Sequence, residues 1–237
     1  GGRAEPLRYA AAIGGIAFED RFITGETHKK EKAEGKRRWS GPPEVVVIDK
    51  DGKDLVTIAQ SNTCLRYIGK LAGLYPENKV SAALADEILD SSEDVFGVLM
   101  GAMAGKEKDE EKKAAAEELL KDDGKLTYWV KKFACRQKEA ADRGVKSGLF
   151  VGEEITIAEL KFAATFGFLM GRLPGFGKDG YMGKDENKAL LAIIEKVNAN
   201  DKVKAFTEQF NKNTAAFKEK AENCSFKYGG KTVSGAL

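Results

Sequence analysis

Hydrophobic and polar positions change their spacing several times within the first 75 residues of the chain. The segment from Glu5 to Ile13 has apolar residues at helical spacing and ends at a glycine pair, which predicts a helix. Ile16 to Ile23 keeps its large apolar residues largely on one parity and predicts a strand. A nearly all-polar run, 25–38, predicts an exposed loop or frayed helix. Glu44–Ile48 and Leu55–Ala59 flank a turn signal and predict a hairpin.

The stretch Thr57–Tyr75 joins the end of the second hairpin strand to a helix through a polar turn. Gln60 and Ser61 interrupt the apolar run, and Ser61 is predicted as the N-cap of the helix. A helix start offers backbone N–H groups and a positive dipole end, which suit a carboxylate ligand. From the spacing alone, the more common explanation is that Ser61 only caps the helix, because most capping residues bind no ligand.

After Pro76 the pattern predicts helices and no strand. A long amphipathic helix covers Ala85 to Met103, and a charged helix without candidate chemistry covers Gly105–Lys125. Thr156 and Glu159 have capping-box spacing and open a deeply apolar helix that is structural rather than catalytic. Two further helices follow, and residues 223–237 are predicted to form a loosely held arm.

Four acidic residues follow one another at helical spacing on the long helix and predict an acidic stripe. Like charges at this spacing repel, so the stripe calls for solvent, a divalent cation, or a cationic group on another chain. Oxygen ligands along one helix hold Mg²⁺ or Ca²⁺ poorly, so solvent is the default and no metal site is predicted. The stripe comprises Asp86, Asp90, Glu93 and Asp94.

Composition and charge exclude several classes of function. The 237 residues carry a formal net charge of +2, which gives no electrostatic footprint for nucleic acid. No apolar run has the length of a membrane span. Three separated cysteines predict a reducing compartment, with Cys64 and Cys135 in or near the core. The single histidine, His28, excludes a histidine-rich metal site and makes a Ser-His-Asp triad untenable.

Two motifs resemble those of the cytosolic glutathione transferases. The run Gln60–Ile68, QSNTCLRYI, resembles the family's QS-(N/L)-A-I-x-R-Y-(I/L) signature. The run Gly2–Arg8, GRAEPLR, resembles the GRAEPIR opening of the first helix in the sigma-like, tyrosine-type branch. The capping box also matches one in the family's central helix.

The resemblance implies an α+β chain. Residues 1–76 would form a thioredoxin-like, glutathione-binding domain without its first strand. Residues 80–222 would form an all-helical domain, followed by the arm 223–237. It also implies a cytoplasmic homodimer with glutathione as co-substrate and a small hydrophobic electrophile as substrate, as in detoxification. We place the electrophile beside Met100 and Met103 of the long helix as a hypothesis.

The resemblance also assigns site residues in the N-terminal domain. Gln60 and Ser61 would hold the γ-glutamyl end of glutathione, and Pro42, before a cis Pro43, would meet the cysteinyl backbone. Lys36 is a candidate for the glycyl carboxylate.

Two further assignments concern the dimer and the sulfur. Glu93, or its neighbour Asp94, would reach the glutathione amine of the neighbouring subunit across a dimer interface. Arg3 matches an arginine that supports the thiolate.

The family's catalytic tyrosine lies on a strand that precedes the GRAE motif. The sequence begins at Gly1, and we expect a longer natural chain to supply both the strand and the tyrosine. Tyr9 is not a substitute because it lies inside the predicted helix. Activity as a glutathione transferase is therefore expected if that tyrosine exists upstream.

The alternative is a non-catalytic module with the same fold, or a structural subunit of a larger assembly. The Pro42-Pro43 pair favours this alternative because Pro42 lacks an N–H to offer the ligand.

Overall fold

The computed structural model describes residues 2–39, 41–220 and 222–230. The helices are α1 (Glu5–Gly14), α2 (Gly25–Ala33), α3 (Ser61–Leu71), α4 (Lys79–Met103), α5 (Asp109–Leu119), α6 (Lys125–Asp142), α7 (Ile157–Met170), α8 (Lys188–Ala199) and α9 (Asp201–Lys220). The strands are β1 (Phe18–Phe22), β2 (Glu44–Ile48), β3 (Asp54–Ala59) and β4 (Cys224–Tyr228). Short 3₁₀ helices cover Gly2–Ala4, Tyr181–Gly183 and Asp185–Asn187.

Contacts divide the chain into two compact units. The helical unit comprises Pro76–Ala199, and the N-terminal unit comprises Arg3–Tyr75 together with the described residues from Asn200 onward. In the N-terminal unit α1 packs against α3 and α9. This grouping differs from the predicted ranges 80–222 and 223–237, because α9 and β4 contact elements near the start of the chain.

The strands of the N-terminal unit form two antiparallel pairs. In one pair β2 and β3 make the predicted hairpin, with Glu44 opposite Ala59 at one end. In the other pair β1 and β4 run side by side, with Phe18 opposite Tyr228. The two rings of that last pair stack with their centroids 4.7 Å apart. Aromatic packing across the strands therefore stabilises a pairing between segments far apart in sequence.

The strand β4 corrects two sequence predictions. No strand was expected after Val80, and the tail was expected to be a loosely held arm, yet Cys224–Tyr228 pairs with β1 along its whole length. In the tail, Phe226 and Tyr228 alternate with small or polar residues. This alternation is too short to predict a strand in a polar segment. Pairing with β1 supplies the order that local sequence does not. Residues 231–237 of the predicted arm lie outside the described residues.

The helical unit is built around α7. The capping box is confirmed: Thr156 accepts a hydrogen bond from the Ala158 N–H, and Glu159 accepts from the Thr156 N–H at 2.8 Å. Eleven of the helix's residues are buried, from Ile157 to Leu169, which fits a helix packed on both sides by α4 and α8. No helix in the described part of the chain is long and apolar enough to cross a bilayer.

Three local predictions have mixed outcomes. The polar run 25–38 contains a regular helix, α2, whose N-cap Thr24 accepts from the Thr27 N–H. Cys64 is fully buried as predicted, but Cys135 is exposed and its predicted place near the core is wrong. The buried face of α6 carries Leu126, Val130 and Phe133, and Cys135 lies off that face.

Candidate functional site

The hairpin register brings the two sequence-predicted binding segments together. Glu44 pairs with Ala59, so the residues just outside this pair, Pro43 and Gln60, leave the same end of the hairpin. The Pro42–Pro43 bond is cis, as predicted. The turn Gln60-Ser61 and the cis bond therefore lie at one edge of the N-terminal unit, although 17 positions separate Pro43 from Gln60 along the chain. We call this place the hairpin end.

Gln60 has the only positive φ among the described non-glycine residues, with φ 73° and ψ 117°. A side chain held in this region costs of order 1–3 kcal/mol and persists where surrounding structure fixes it, often at ligand sites. Gln60, not Ser61, is the N-cap of α3, so the predicted N-cap is wrong by one residue. Ser61 opens the first turn, where the helix dipole is positive and favours an anionic ligand.

Cys64 anchors α3 behind the hairpin end. Its Sγ donates to the Ile58 carbonyl at 3.3 Å, and the residue has no exposed surface. Burial raises the pKa of the Cys64 thiol to about 11. A thiol in this state is a structural contact rather than a nucleophile. The sequence placed Cys64 on the apolar face of the helix but gave no sign of its hydrogen bond to β3.

The loop before the cis bond is fixed by an ion-pair cluster. Arg37 Nη1 donates to Glu44 Oε2 at 2.9 Å, and a second nitrogen of Arg37 pairs with Glu31 of α2. The Arg38 N–H donates to Glu44 Oε1 at 3.1 Å. Lys36 lies apart from this cluster, two-thirds exposed, with its Nζ 2.8 Å from Glu34. Arg37 is thus a structural residue that charge pattern alone did not distinguish from Lys36.

Arg3, the remaining N-terminal candidate, and Tyr9, which the sequence excludes as the catalytic tyrosine, lie in and just before α1. Arg3 lies in the 3₁₀ turn directly before α1. The buried Tyr9 hydroxyl donates to Glu5 Oε1 at 2.7 Å, and its burial raises the pKa of this phenol. Tyr9 lies within α1, as predicted, and its proton is engaged by a carboxylate. It is therefore a poor source of a hydrogen bond to a thiolate.

The acidic candidates lie on α4 in the helical unit. Glu93 Oε2 accepts from Lys161 Nζ at 2.8 Å, and Lys161 is only 2% exposed. Asp94 is exposed. Sequence reasoning missed Lys161, although a lysine at a buried position of an apolar helix is itself a sign of a nearby carboxylate. Among the described residues, no cluster of three or more metal-ligating side chains forms.

About half of the chain is similar in sequence to known proteins. No family model matches the chain. Hematopoietic prostaglandin D synthase of Gallus gallus is 35% identical over 131 residues, which is 51% of this chain and 59% of that protein. Human glutathione S-transferase P is 32% identical over 94 residues, 40% of this chain and 42% of that protein. The chain thus spans about half the length of the curated relatives it matches.

Solved structures extend the likeness over most of the chain. A glutathione S-transferase of the hookworm Necator americanus, described as monomeric, has a TM-score of 0.65 at 27% identity and covers 88% of this chain and 92% of its own. A sigma-class enzyme of Fasciola hepatica has a TM-score of 0.71 at 19% identity, over 88% and 91% of the two chains.

The second structure shows a common fold, and the first adds sequence similarity to it. The predicted fold, a thioredoxin-like domain followed by a helical domain, is confirmed by these neighbours. Part of the sequence is thus similar to a prostaglandin D synthase and to a glutathione S-transferase, and the fold is that of the glutathione transferases.

Proposed function

We propose that the chain binds glutathione at the hairpin end and uses its thiolate on small hydrophobic electrophiles, by conjugation or isomerisation. The observation that carries the proposal is the strained Gln60 at the start of α3, placed beside the cis Pro42–Pro43 bond by the hairpin register. The register thereby brings to one end of the hairpin two segments to which the resemblance assigns a role in glutathione binding. The names of the curated relatives, a transferase and a prostaglandin D synthase, support the same chemistry.

In this proposal each segment of the hairpin end meets a different part of glutathione. Gln60 and Ser61 hold the γ-glutamyl carboxylate at the positive end of α3. The Pro42 carbonyl accepts from the cysteinyl N–H, since a proline has no N–H of its own. Lys36 remains the candidate for the glycyl carboxylate, and its present partner Glu34 is exposed enough to be exchanged for a ligand.

The chemical step requires the glutathione thiol to lose its proton. The proton leaves to solvent, and the thiolate then attacks the electrophile, either displacing a leaving group or adding and departing again in an isomerisation. Arg3 is the cationic group proposed to favour the thiolate.

The dimer and the cellular setting are proposals of the same kind. The carboxylate of Glu93 or Asp94 would pair with the amine of the glutathione bound to a second subunit, which requires a homodimer. Lys161 already neutralises Glu93, so Asp94 is the more available of the two. All three cysteines are free, which supports a reducing, cytoplasmic location. The role in detoxification is proposed from the resemblance alone.

A glutathione titration followed by the ultraviolet absorbance of the thiolate, at several pH values, tests the proposal. We expect saturable binding and a bound thiol whose pKa lies below that of free glutathione. Ser61→Ala and Gln60→Gly should each weaken binding about tenfold, the effect of one lost charge-assisted hydrogen bond. The matched control is Ser81→Ala, which alters a serine in the first turn of α4, outside the site.

A different result would separate the two candidate functions. Binding with an unshifted thiol would contradict catalysis and support a glutathione-binding module without chemistry. The Pro42-Pro43 pair favours that second candidate, because Pro42 has no N–H to offer the ligand. No binding at all would overturn both, and would leave a structural subunit of a larger assembly.

A further inference from the structure

The tail of the chain is hydrogen-bonded to the start of α2. Asn223, directly before β4, accepts from the Thr24 N–H through Oδ1 at 2.9 Å. Its Nδ2 donates to Thr27 Oγ1 at 3.0 Å. One side chain therefore satisfies a backbone donor at the helix start and also binds a residue of the first turn. The pairing of β4 with β1 places Asn223 there, because Cys224 lies opposite Phe22.

The helix that Asn223 contacts gains little order from burial. It has nine residues, none of them buried. Isolated helices shorter than about 12–15 residues are marginal in water, so contacts at its ends decide how well α2 forms. Thr24 caps its own helix, and Asn223 extends that cap. Loss of the tail contact should therefore loosen the first turn of α2.

Residues on one face of α2 contact Asn223 at one end and the loop before the hairpin end at the other. Thr24, Thr27, His28 and Glu31 follow at spacings of three and four residues, which puts them on one side of the helix. The His28 ring lies against Gly41, where a Cβ would come within 3.1 Å of His28 Cε1.

The next contact along this face completes the connection. Glu31 pairs with Arg37, which also pairs with Glu44 at the start of β2. The same face that Asn223 holds therefore supports the loop that ends in the cis Pro42–Pro43 bond.

We propose that Asn223 is a positioning residue for glutathione binding, acting through α2 and the loop before Pro42. This inference rests on the proposed function. Asn223 touches neither Pro42 nor Gln60, so it sets the population of the binding-competent loop rather than the chemistry. A smaller competent population raises the apparent Kd in proportion and leaves the bound thiol unchanged.

A competing explanation is that the tail only covers the edge of β1. In that case any weakening of β4 would have the same effect as loss of Asn223. The chain offers a matched control, because Tyr228 at the other end of β4 accepts from Asn213 Nδ2 at 2.8 Å. Tyr228→Phe removes a hydrogen bond that holds β4 but does not touch α2.

The test compares Asn223→Ala, Asn223→Asp and Tyr228→Phe in the full chain, with glutathione itself as the probe. Two readouts are taken: the Kd for glutathione with the bound-thiol pKa, and hydrogen exchange of the α2 amides without ligand. We expect Asn223→Ala to raise the Kd about three- to tenfold and to speed exchange across α2, the size that two lost hydrogen bonds support. The bound-thiol pKa should not move.

The other variants sharpen the result. Asn223→Asp keeps the acceptor for the Thr24 N–H, so it should recover most of the affinity, while Tyr228→Phe should leave the Kd and α2 exchange unchanged. Equal effects of Asn223→Ala and Tyr228→Phe, or no effect of Asn223→Ala, would overturn the inference. If the unaltered chain binds no glutathione, the proposed function fails, and α2 exchange still decides whether Asn223 orders the helix.

Discussion

Two helices of the molecule, α7 and α2, owe their order to different parts of the sequence. The helix α7 is buried along most of its length and is capped by its own neighbour Thr156. The helix α2 has no buried residue, and its start is bound by Asn223, 199 positions away from Thr24. A local pattern predicts the first helix completely and the second only in part. Neighbouring residues thus encode the order of α7, whereas a residue far along the chain supplies part of the order of α2.

The largest effect is expected at the buried cap of α7. Glu159 is fully buried and accepts from the Thr156 N–H, the Thr156 hydroxyl and the Phe150 N–H. Glu159→Ala leaves these donors without their acceptor and should lower the free energy of unfolding by about 3 kcal/mol. Urea unfolding of the wild-type and variant proteins measures this change in the free energy of unfolding. The exposed Glu154→Ala is the control and should stay within about 0.5 kcal/mol; equal losses would contradict a local origin of α7's order.

The next effect concerns the ion pair that joins α1 to β1. Arg8 donates twice to Asp20, at 2.6 and 3.0 Å, and its guanidinium lies 4.7 Å from the Phe210 ring centroid of α9. Asp20→Ala leaves a largely buried arginine unpaired and should cost about 2 kcal/mol by urea unfolding.

The matched control for that pair lies on the same strand. Arg21→Ala removes an arginine that is 64% exposed and 3.5 Å from Glu19, so its cost should be close to zero. Similar losses in the two variants would show that the N-terminal unit does not depend on this long-range pair.

A smaller effect is expected from the titration of Cys64. In the folded state the pKa of the Cys64 thiol is about 11, above its ordinary value of 9.0, because burial disfavours the thiolate. The folded state therefore holds the thiol proton more tightly than the unfolded state does. The resulting contribution to the free energy of unfolding is complete below about pH 9 and is lost as the pH rises toward 11. Between pH 8 and pH 10 the chain should lose about 1 kcal/mol more than Cys64→Ser does. Urea unfolding of both proteins at both pH values measures the difference, and parallel curves would refute it.

The smallest effect is expected at Gln60, and its sign is opposite. A glycine adopts φ 73° without steric cost, so Gln60→Gly should stabilise the fold by about 0.5 kcal/mol while it weakens glutathione binding. Thr63→Gly in the first turn of α3 should instead destabilise by a few tenths of a kcal/mol. Thermal unfolding and a glutathione titration measure both. A destabilised Gln60→Gly would argue that the side chain supports the fold rather than a ligand.

Local pattern predicted much of the fold and the main motif of the candidate site. The capping box of α7, the hairpin and the Gln60–Ser61 turn follow from residue order, because each depends on neighbours within a few positions. The strand β4 and the contacts of Asn223 do not, since they depend on partners about 200 positions away. Cys135 shows a related limit: an apolar residue at helical spacing still lies outside when the buried face runs along neighbouring positions.

The pairing of β1 with β4 has a consequence for how the protein is made. A ribosome that has just released Phe22 must add about 200 more residues before Cys224 can meet it, which takes roughly 10 to 40 s at ordinary translation rates. Throughout that time β1 exposes an edge that other strands can join. The edge of β1 is thus covered by a strand that is synthesised about 200 residues later, and slower synthesis lengthens its exposure.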